Sequence, residues 1–265
     1  MTINIKNLFS YSKKISKMGD FQEVHHIEGL QVSSVSANLY KNRREDLSLF
    51  YFPEGANHAV AYTKNSVVSE SITWNRENTK NNVRALIVNT KNANTFTGNQ
   101  GLDSLNEIAK NLTDYLKKIE NENEYKKTKK KDLLFASTGV IGEEFPVEKI
   151  KTSIPNLVEN LRYNQNKLIW LKMASAIMTT DTKPKVASSQ IKIGDKVIRI
   201  SGIAKGSGMI APNLATMLSF IFTDADISSV ALNKFLNKVL SNTFNAITVD
   251  SDTSTNDMVA IFSTK

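Results

Sequence analysis

The stretch Lys205-Gly206-Ser207-Gly208-Met209-Ile210-Ala211-Pro212-Asn213-Leu214-Ala215-Thr216-Met217-Leu218 joins a glycine-rich turn to a threonine set among apolar residues. The glycines let the backbone come close to another group, and the apolar run over residues 217–222 reads as a buried strand. Upstream, residues 186–200 alternate apolar and polar, with Gly194-Asp195 at the spacing of a hairpin turn. A hairpin therefore delivers the chain to this stretch, and a strand takes it away. Thr216 has two readings at this point. It is a β-branched strand residue of the ordinary kind, or it is a nucleophile uncovered by cutting the peptide bond before it, so that the freed amine serves as the hydroxyl's own base.

Working outward, strands and helices interleave. Residues 83–88 form a continuous apolar run that enters the small polar loop Asn89-Thr90-Lys91-Asn92-Ala93-Asn94, the kind of strand exit where α/β folds place binding groups. After Gly101 a helix is expected, with Leu105, Ile108, Ala109, Leu112, Leu116 and Ile119 on one face and Ser104 and Glu107 at capping-box spacing. Residues 133–136 are a second apolar strand, running into Ser137-Thr138-Gly139-Val140-Ile141-Gly142. Small residues and two glycines there leave backbone N–H groups free to face a developing oxyanion. Pro146 opens a helix that Pro155 interrupts or kinks, and residues 168–178 form another, ending in Thr179-Thr180-Asp181-Thr182.

The flanks follow the same alternation. Residues 47–52 and 59–63 read as two short strands separated by a Pro53-Glu54-Gly55 turn. Beyond Thr216, residues 228–240 read as an amphipathic helix through Val230, Leu232, Phe235, Leu236 and Val239, followed by strands at 246–249 and 258–262. The fold class is α/β in the layered α+β sense, with sheets sandwiched by helices, and residues 1–265 form one region. Residues 1–21 carry Lys6, Lys13, Lys14 and Lys17 but no arginine, so they read as a flexible leading segment and not as an organelle transit peptide.

Composition excludes several chemistries. No cysteine occurs, which removes disulfides and thiolate sites, and His25, His26 and His58 are too few and ill-placed for a histidine metal centre or triad. Asp250, Asp252 and Asp257 lack the glycine and closing glutamate of a calcium loop, so no metal is expected. The net charge of +8 is concentrated in Lys126, Lys127, Lys129, Lys130 and Lys131 after Glu120, Glu122 and Glu124. With Tyr125 the one aromatic among them, that run reads as a solvated connector and not a nucleic-acid surface. No apolar run is long enough for a membrane span, and the absence of cysteine fits the cytoplasm.

Residues 89–101 (NTKNANTFTGNQG), 136–142 (ASTGVIG), 176–182 (AIMTTDT), 205–218 (KGSGMIAPNLATML) and 248–257 (TVDSDTSTND), in this order and spacing, resemble the ornithine acetyltransferase family, also called glutamate N-acetyltransferases. The resemblance covers most of residues 40–262. It implies a precursor that cuts itself between Ala215 and Thr216, after which Thr216 takes the acetyl group of N2-acetylornithine and passes it to glutamate in a ping-pong cycle. It further implies an oxyanion hole at Thr138 and Gly139 and substrate binding by Thr179, Lys205 and Thr216, with Thr180 the alternative to Thr179. No cofactor is implied. Acetyl-coenzyme A is a second acetyl donor in some members, and the assembly expected is an α/β heterotetramer.

Three departures stand out against the family pattern. Lys91 and Ser251 occupy positions where glycine is expected, which matters only if their φ angles are positive. Cleavage leaves 50 residues (265 − 215) after the cut, fewer than the family carries, so its C-terminal pocket residues have no counterpart here. A strand at 258–262 with nothing after it would stand as a bare sheet edge. The alternatives to acetyl transfer are an amidohydrolase using the same threonine with water as acceptor, and a non-catalytic remnant.

Overall fold

Val83, Leu86 and Val88 belong to one buried cluster while Ala85 and Ile87 belong to another, so the apolar run at 83–88 is a strand covered on both faces. The computed structural model describes residues 23–80, 82–210 and 217–264. Its strands are β1 (Gln31–Val35), β2 (Leu47–Tyr62), β3 (Asn82–Asn89), β4 (Leu133–Ser137), β5 (Lys185–Ile193), β6 (Lys196–Lys205), β7 (Leu218–Thr223) and β8 (Met258–Ser263). They form one sheet in the order β4-β3-β2-β8-β7-β6-β5, with β1 paired to β2. The β3–β4 and β7–β8 pairs are parallel. Their C-terminal ends therefore deliver loops to shared edges.

Among the described residues, five helices cover the sheet: α1 (Glu70–Asn78), α2 (Gly98–Glu122), α3 (Val147–Glu159), α4 (Lys167–Ala176) and α5 (Ser229–Leu240). On one face, α2 and α3 pack Leu105, Ile108, Leu112, Ile150, Ile154 and Leu157 against Leu49, Ala85, Ile87 and Phe135. Each fully buried leucine or isoleucine there contributes about 1.5–3 kcal/mol. Farther along that face, Leu232, Leu236 and Leu240 of α5 cover Ala59 and Val259. The opposite face carries Phe50, Phe52, Phe220, Phe222 and Phe262, closed by Trp170, Met173 and Ala174 of α4.

Several boundaries differ from the sequence expectation, each for an identifiable reason. β2 is one 16-residue strand and not two, because residues 53–55 are absorbed in a bulge between Tyr51 and Ala56. α2 begins at Gly98, not near Ser104, since the acid that meets its first N–H groups comes from another helix: Glu70 Oε1 accepts from Gly98 N at 2.7 Å and Thr97 N at 3.1 Å. Ser104 is interior and donates to the Gln100 carbonyl. α3 runs through Pro155 without ending. The expected strand at 246–249 is a short 3-10 turn (Phe244–Ala246) and bends, with Ile247 and Val249 exposed. In α5 the buried stripe is Leu232, Leu236 and Leu240, leaving Val230, Phe235 and Val239 outward.

Two larger corrections concern topology and charge. The last strand is no edge: β8 lies between β2 and β7 and pairs with both. The acidic end of the charged connector is not wholly solvated either. Glu120 is fully buried, accepting from Thr128 N at 3.1 Å and from the Thr128 hydroxyl, and Arg84 Nε reaches Thr128 Oγ1 at 3.1 Å. Residues 1–21 lie outside the described residues. No helix among the described residues is long and apolar enough to cross a membrane.

Candidate active site

Because β3 and β4 are parallel, the loops leaving their C-terminal ends meet. Val140 N donates to the Lys91 carbonyl and Ala93 N to the Val140 carbonyl, each at 2.9 Å. Gly139 sits in this junction with φ +141°, and a Cβ there would stand 2.1 Å from the Lys91 carbonyl carbon. Only glycine allows that approach. The Thr138 backbone N–H is taken by the Asn89 carbonyl at 3.1 Å. Among the described residues, the Gly139 N–H and the Thr138 hydroxyl have no such partner, so both are available as donors.

The loop itself is backbone-strained. Lys91 (φ 73°), Asn94 (φ 49°) and Phe96 (φ 60°) are all left-handed. Asn tolerates that region through local hydrogen bonds, and Asn94 N donates one to Asn92 Oδ1 at 2.8 Å. Lys91 has no such device.

A second cluster forms where α4 ends and β6 ends. Lys205 is buried, and its Nζ lies 3.4 Å from Thr179 Oγ1. The neighbouring Thr180 hydroxyl meets Ser207 Oγ at 2.9 Å instead, so Thr179 is the threonine beside the lysine. Asp181 Oδ1 accepts from Gly206 N at 2.7 Å and from Lys185 Nζ at 2.5 Å. Burial opposes the charge of Asp181, yet Lys185, the Gly206 N–H and Lys205 together hold its carboxyl below the usual range. Burial likewise lowers Lys205, against the upward pull of Asp181 and Asp257.

The two clusters are joined by residues that composition and motif spacing did not single out one by one. Asn256 Nδ2 donates to the Ala93 carbonyl at 2.6 Å and the Ser137 carbonyl at 2.9 Å, tying both loop ends together. Beside it, Asp257 Oδ1 accepts from Met217 N at 2.7 Å, and its electrostatic influence reaches Lys205. Burial pushes the Asp257 carboxyl up to about 8, outweighing the Met217 N–H, Lys205 and the nearby Ser254 hydroxyl. The one signal for these residues was the string at 248–257, whose aspartates the sequence weighed only as metal ligands. Among the described residues no group of three or more acidic or histidine side chains is placed to hold a metal. Ala215 and Thr216 lie outside the described residues. A cavity of about 360 Å³ lined by Trp74, Asn78, Asn106 and Lys130 shares no residue with either cluster.

The class of protein is a layered α/β fold, one mixed sheet covered by helices, whose strand-exit loops lie near a buried lysine. The family model described as the ArgJ family matches residues 31–265. The arginine biosynthesis bifunctional protein ArgJ of Gluconobacter oxydans is 41% identical over 239 residues, 90% of this chain and 53% of that protein. Its namesake from Bartonella henselae is 38% identical over 265 residues, covering 100% of this chain and 59% of that protein. Among solved structures, an ornithine acetyltransferase from Mycobacterium tuberculosis complexed with ornithine matches with TM-score 0.57 and 27% identity, over 72% of this chain and 93% of that one. The ArgJ protein of Bacillus halodurans matches with TM-score 0.61 and 28% identity, over 72% and 92%. The chain belongs to the ArgJ family. It spans between 53% and 59% of the length of these curated relatives.

Proposed function

We propose that this chain is the nucleophile-bearing part of an acetyltransferase that cuts itself between Ala215 and Thr216 and then moves acetyl from N2-acetylornithine to glutamate. The observation that carries the reading is convergence. Four sequence strings separated by up to 163 residues meet through Asn256 and Asp257, which touch the Ala93 loop, the Ser137 turn and the residue directly after Thr216.

In this reading the freed α-amino group of Thr216, titrating near ~7.7–8, takes the hydroxyl proton in a chain that has almost no histidine to do so. The hydroxyl oxygen attacks the acetyl carbonyl, and the Thr138 hydroxyl and Gly139 N–H receive the oxyanion. Each such donor is worth about 3–4 kcal/mol in acyl transfer. Ornithine leaves as the amine, and glutamate's amine then takes the acetyl group from the threonine ester. Lys205, with Thr179 beside it, pairs with the substrate carboxylate as a point charge. Acetyl-coenzyme A as an alternative donor, an α/β heterotetramer and a cytoplasmic setting complete the proposal. It includes no resident cofactor, nucleic acid or membrane partner.

The test is intact-mass and amino-terminal sequencing of purified protein, beside an assay of acetyl transfer to glutamate. Two chains with Thr216 as a new terminus are expected, and Thr216→Ala should leave one chain and abolish transfer. A single uncut chain under folding conditions without transfer defeats the proposal, and acetate release independent of glutamate points to the amidohydrolase reading instead.

A further inference from the structure

The string at 248–257 grips the chain on both sides of the Ala215–Thr216 bond. On the upstream side, Asp250 Oδ2 accepts from Met209 N at 2.6 Å and Oδ1 from Ile210 N at 2.8 Å. The Ile210 carbonyl in turn accepts from Val249 N at 2.8 Å and Thr248 Oγ1 at 3.3 Å. On the downstream side, Asp257 Oδ1 accepts from Met217 N at 2.7 Å, and Met258 N donates to the Met217 carbonyl at 2.9 Å. Both flanks are thus held through N–H and C=O groups by residues 248–258, a single eleven-residue stretch.

Such a grip differs from ordinary loop packing in where its charges go. Asp250 is exposed, and its two carboxylate oxygens face two consecutive backbone N–H groups, which hold its carboxyl below the usual range. Asp257 is 1% exposed, and its second oxygen, Oδ2, is buried with no hydrogen-bond partner among the described residues. The stretch is anchored from outside as well: Thr63 Oγ1 donates to the Ser254 carbonyl at 2.8 Å and Ser69 N to the Thr255 carbonyl at 2.9 Å. Its downstream half is therefore fixed against the residues that follow β2 and cap α1.

We infer that Asp250 and Asp257 are positioning residues for self-cleavage, a pair of carboxyl groups that fix the two flanks, Met209–Ile210 and Met217, on either side of the Ala215–Thr216 bond that the Thr216 hydroxyl attacks. This rests on the cleavage reading proposed above. The step it serves is an N-to-O shift. The Thr216 oxygen bonds to the Ala215 carbonyl carbon, the Ala215–Thr216 amide bond breaks, and the hydroxyl proton ends on the freed nitrogen. Water then hydrolyses the ester to an Ala215 carboxyl and the Thr216 hydroxyl. Holding both flanks removes chain freedom before this step, and orientation of that kind is worth orders of magnitude in rate.

The experiment follows cleavage of the full chain after a pulse of cell-free translation, read as the appearance of the fragment over residues 216–265. Four variants are compared with the parent: Asp250→Ala, Asp257→Ala, Asp257→Asn and, as the uncut control, Thr216→Ala. Thermal melting of each variant reports folding. Expected are a tenfold or greater slowing in both alanine variants and a rate within about threefold of the parent in Asp257→Asn, whose amide oxygen still accepts the Met217 N–H. A purely structural role would lower melting without that rescue. Alanine variants that melt like the parent and cleave within twofold of its rate overturn the inference. If Asp257→Ala does not fold, the exposed Asp250→Ala decides alone. A parent that never cleaves, matching Thr216→Ala, overturns the cleavage reading itself and the inference with it. That outcome is separable, because it does not depend on either aspartate.

Discussion

Asp46 and Asp257 are equally hidden, at 0% and 1% exposure, yet they sit in regions that treat a carboxylate differently. Between β1 and β2, Asp46 Oδ1 accepts from Ala37 N at 2.6 Å and Oδ2 from Leu39 N at 2.9 Å, so both oxygens are used. Beside Met217, Asp257 has one oxygen on that residue's N–H and the other, among the described residues, without a partner. Burial raises both acids, but at Asp46 the N–H groups of Ala37, Leu39 and Tyr40 pull against it. What separates a scaffold carboxylate from one with unused capacity is the number of donors facing it, not its depth.

The largest expected effect tests that difference through pH. The folded-state value of Asp257, about 8, lies above the value near ~3.9 of an unfolded chain. The folded form thus binds the proton more tightly, so this contribution to stability is complete below about pH 4 and is lost as pH rises to 8. Over the whole window it amounts to roughly 5–6 kcal/mol. Denaturant unfolding of the uncut Thr216→Ala protein at several pH values should show this decline, and adding Asp257→Asn should flatten it. Parallel curves for the two proteins would mean that Asp257 is not the group responsible.

Next in size is Asp46→Ala, which strips two buried N–H groups of their acceptor at once. Each orphaned group costs about 1–3 kcal/mol, so a loss of roughly 2–5 kcal/mol is expected from urea midpoints at pH 7. Asp46→Asn keeps one acceptor oxygen and should lose about half as much. A loss below about 1 kcal/mol for the alanine variant would show that the 37–46 loop is held by other means.

The contrast between these regions also explains what the sequence could say. Apolar runs at 83–88 and 133–136, the hairpin around Gly194 and the helix at 168–178 announce themselves because burial on a regular element imposes a period. The turn at Thr138 and Gly139 is legible as small residues after a strand. The pairing of Thr179 with Lys205 entered only through family resemblance, since nothing local says that the end of α4 meets the end of β6. Residues 246–249 misled for a related reason. Their apolar character fits a strand, but Thr248, Val249 and Asp250 are bound to Ile210, a tertiary demand invisible in a four-residue window. The central place of β8 was equally hidden, because the sequence gives strand order no signature.

The smallest effect concerns the two positions where the family pattern expects glycine. Ser251 has φ 62° and Lys91 has φ 73°, so both departures fall where an L side chain is strained. A non-glycine residue in the left-handed region costs about 1–2 kcal/mol, while glycine gives back roughly 0.5–1 kcal/mol of that in unfolded-state freedom. Ser251→Gly should therefore stabilise by about 0.5–1 kcal/mol, a rise in melting temperature of roughly 1–3 °C. Lys91→Gly should gain somewhat less, because it also loses the exposed 3.8 Å pair with Glu143. Ser251→Ala is the informative control. It removes the hydroxyl but keeps the Cβ, so it should gain nothing if backbone strain is the cause. A gain equal to that of glycine would instead assign the effect to the serine side chain. Ser251 directly follows Asp250, so an unchanged cleavage rate in Ser251→Gly would further separate the strain of the turn from the grip of its carboxylate.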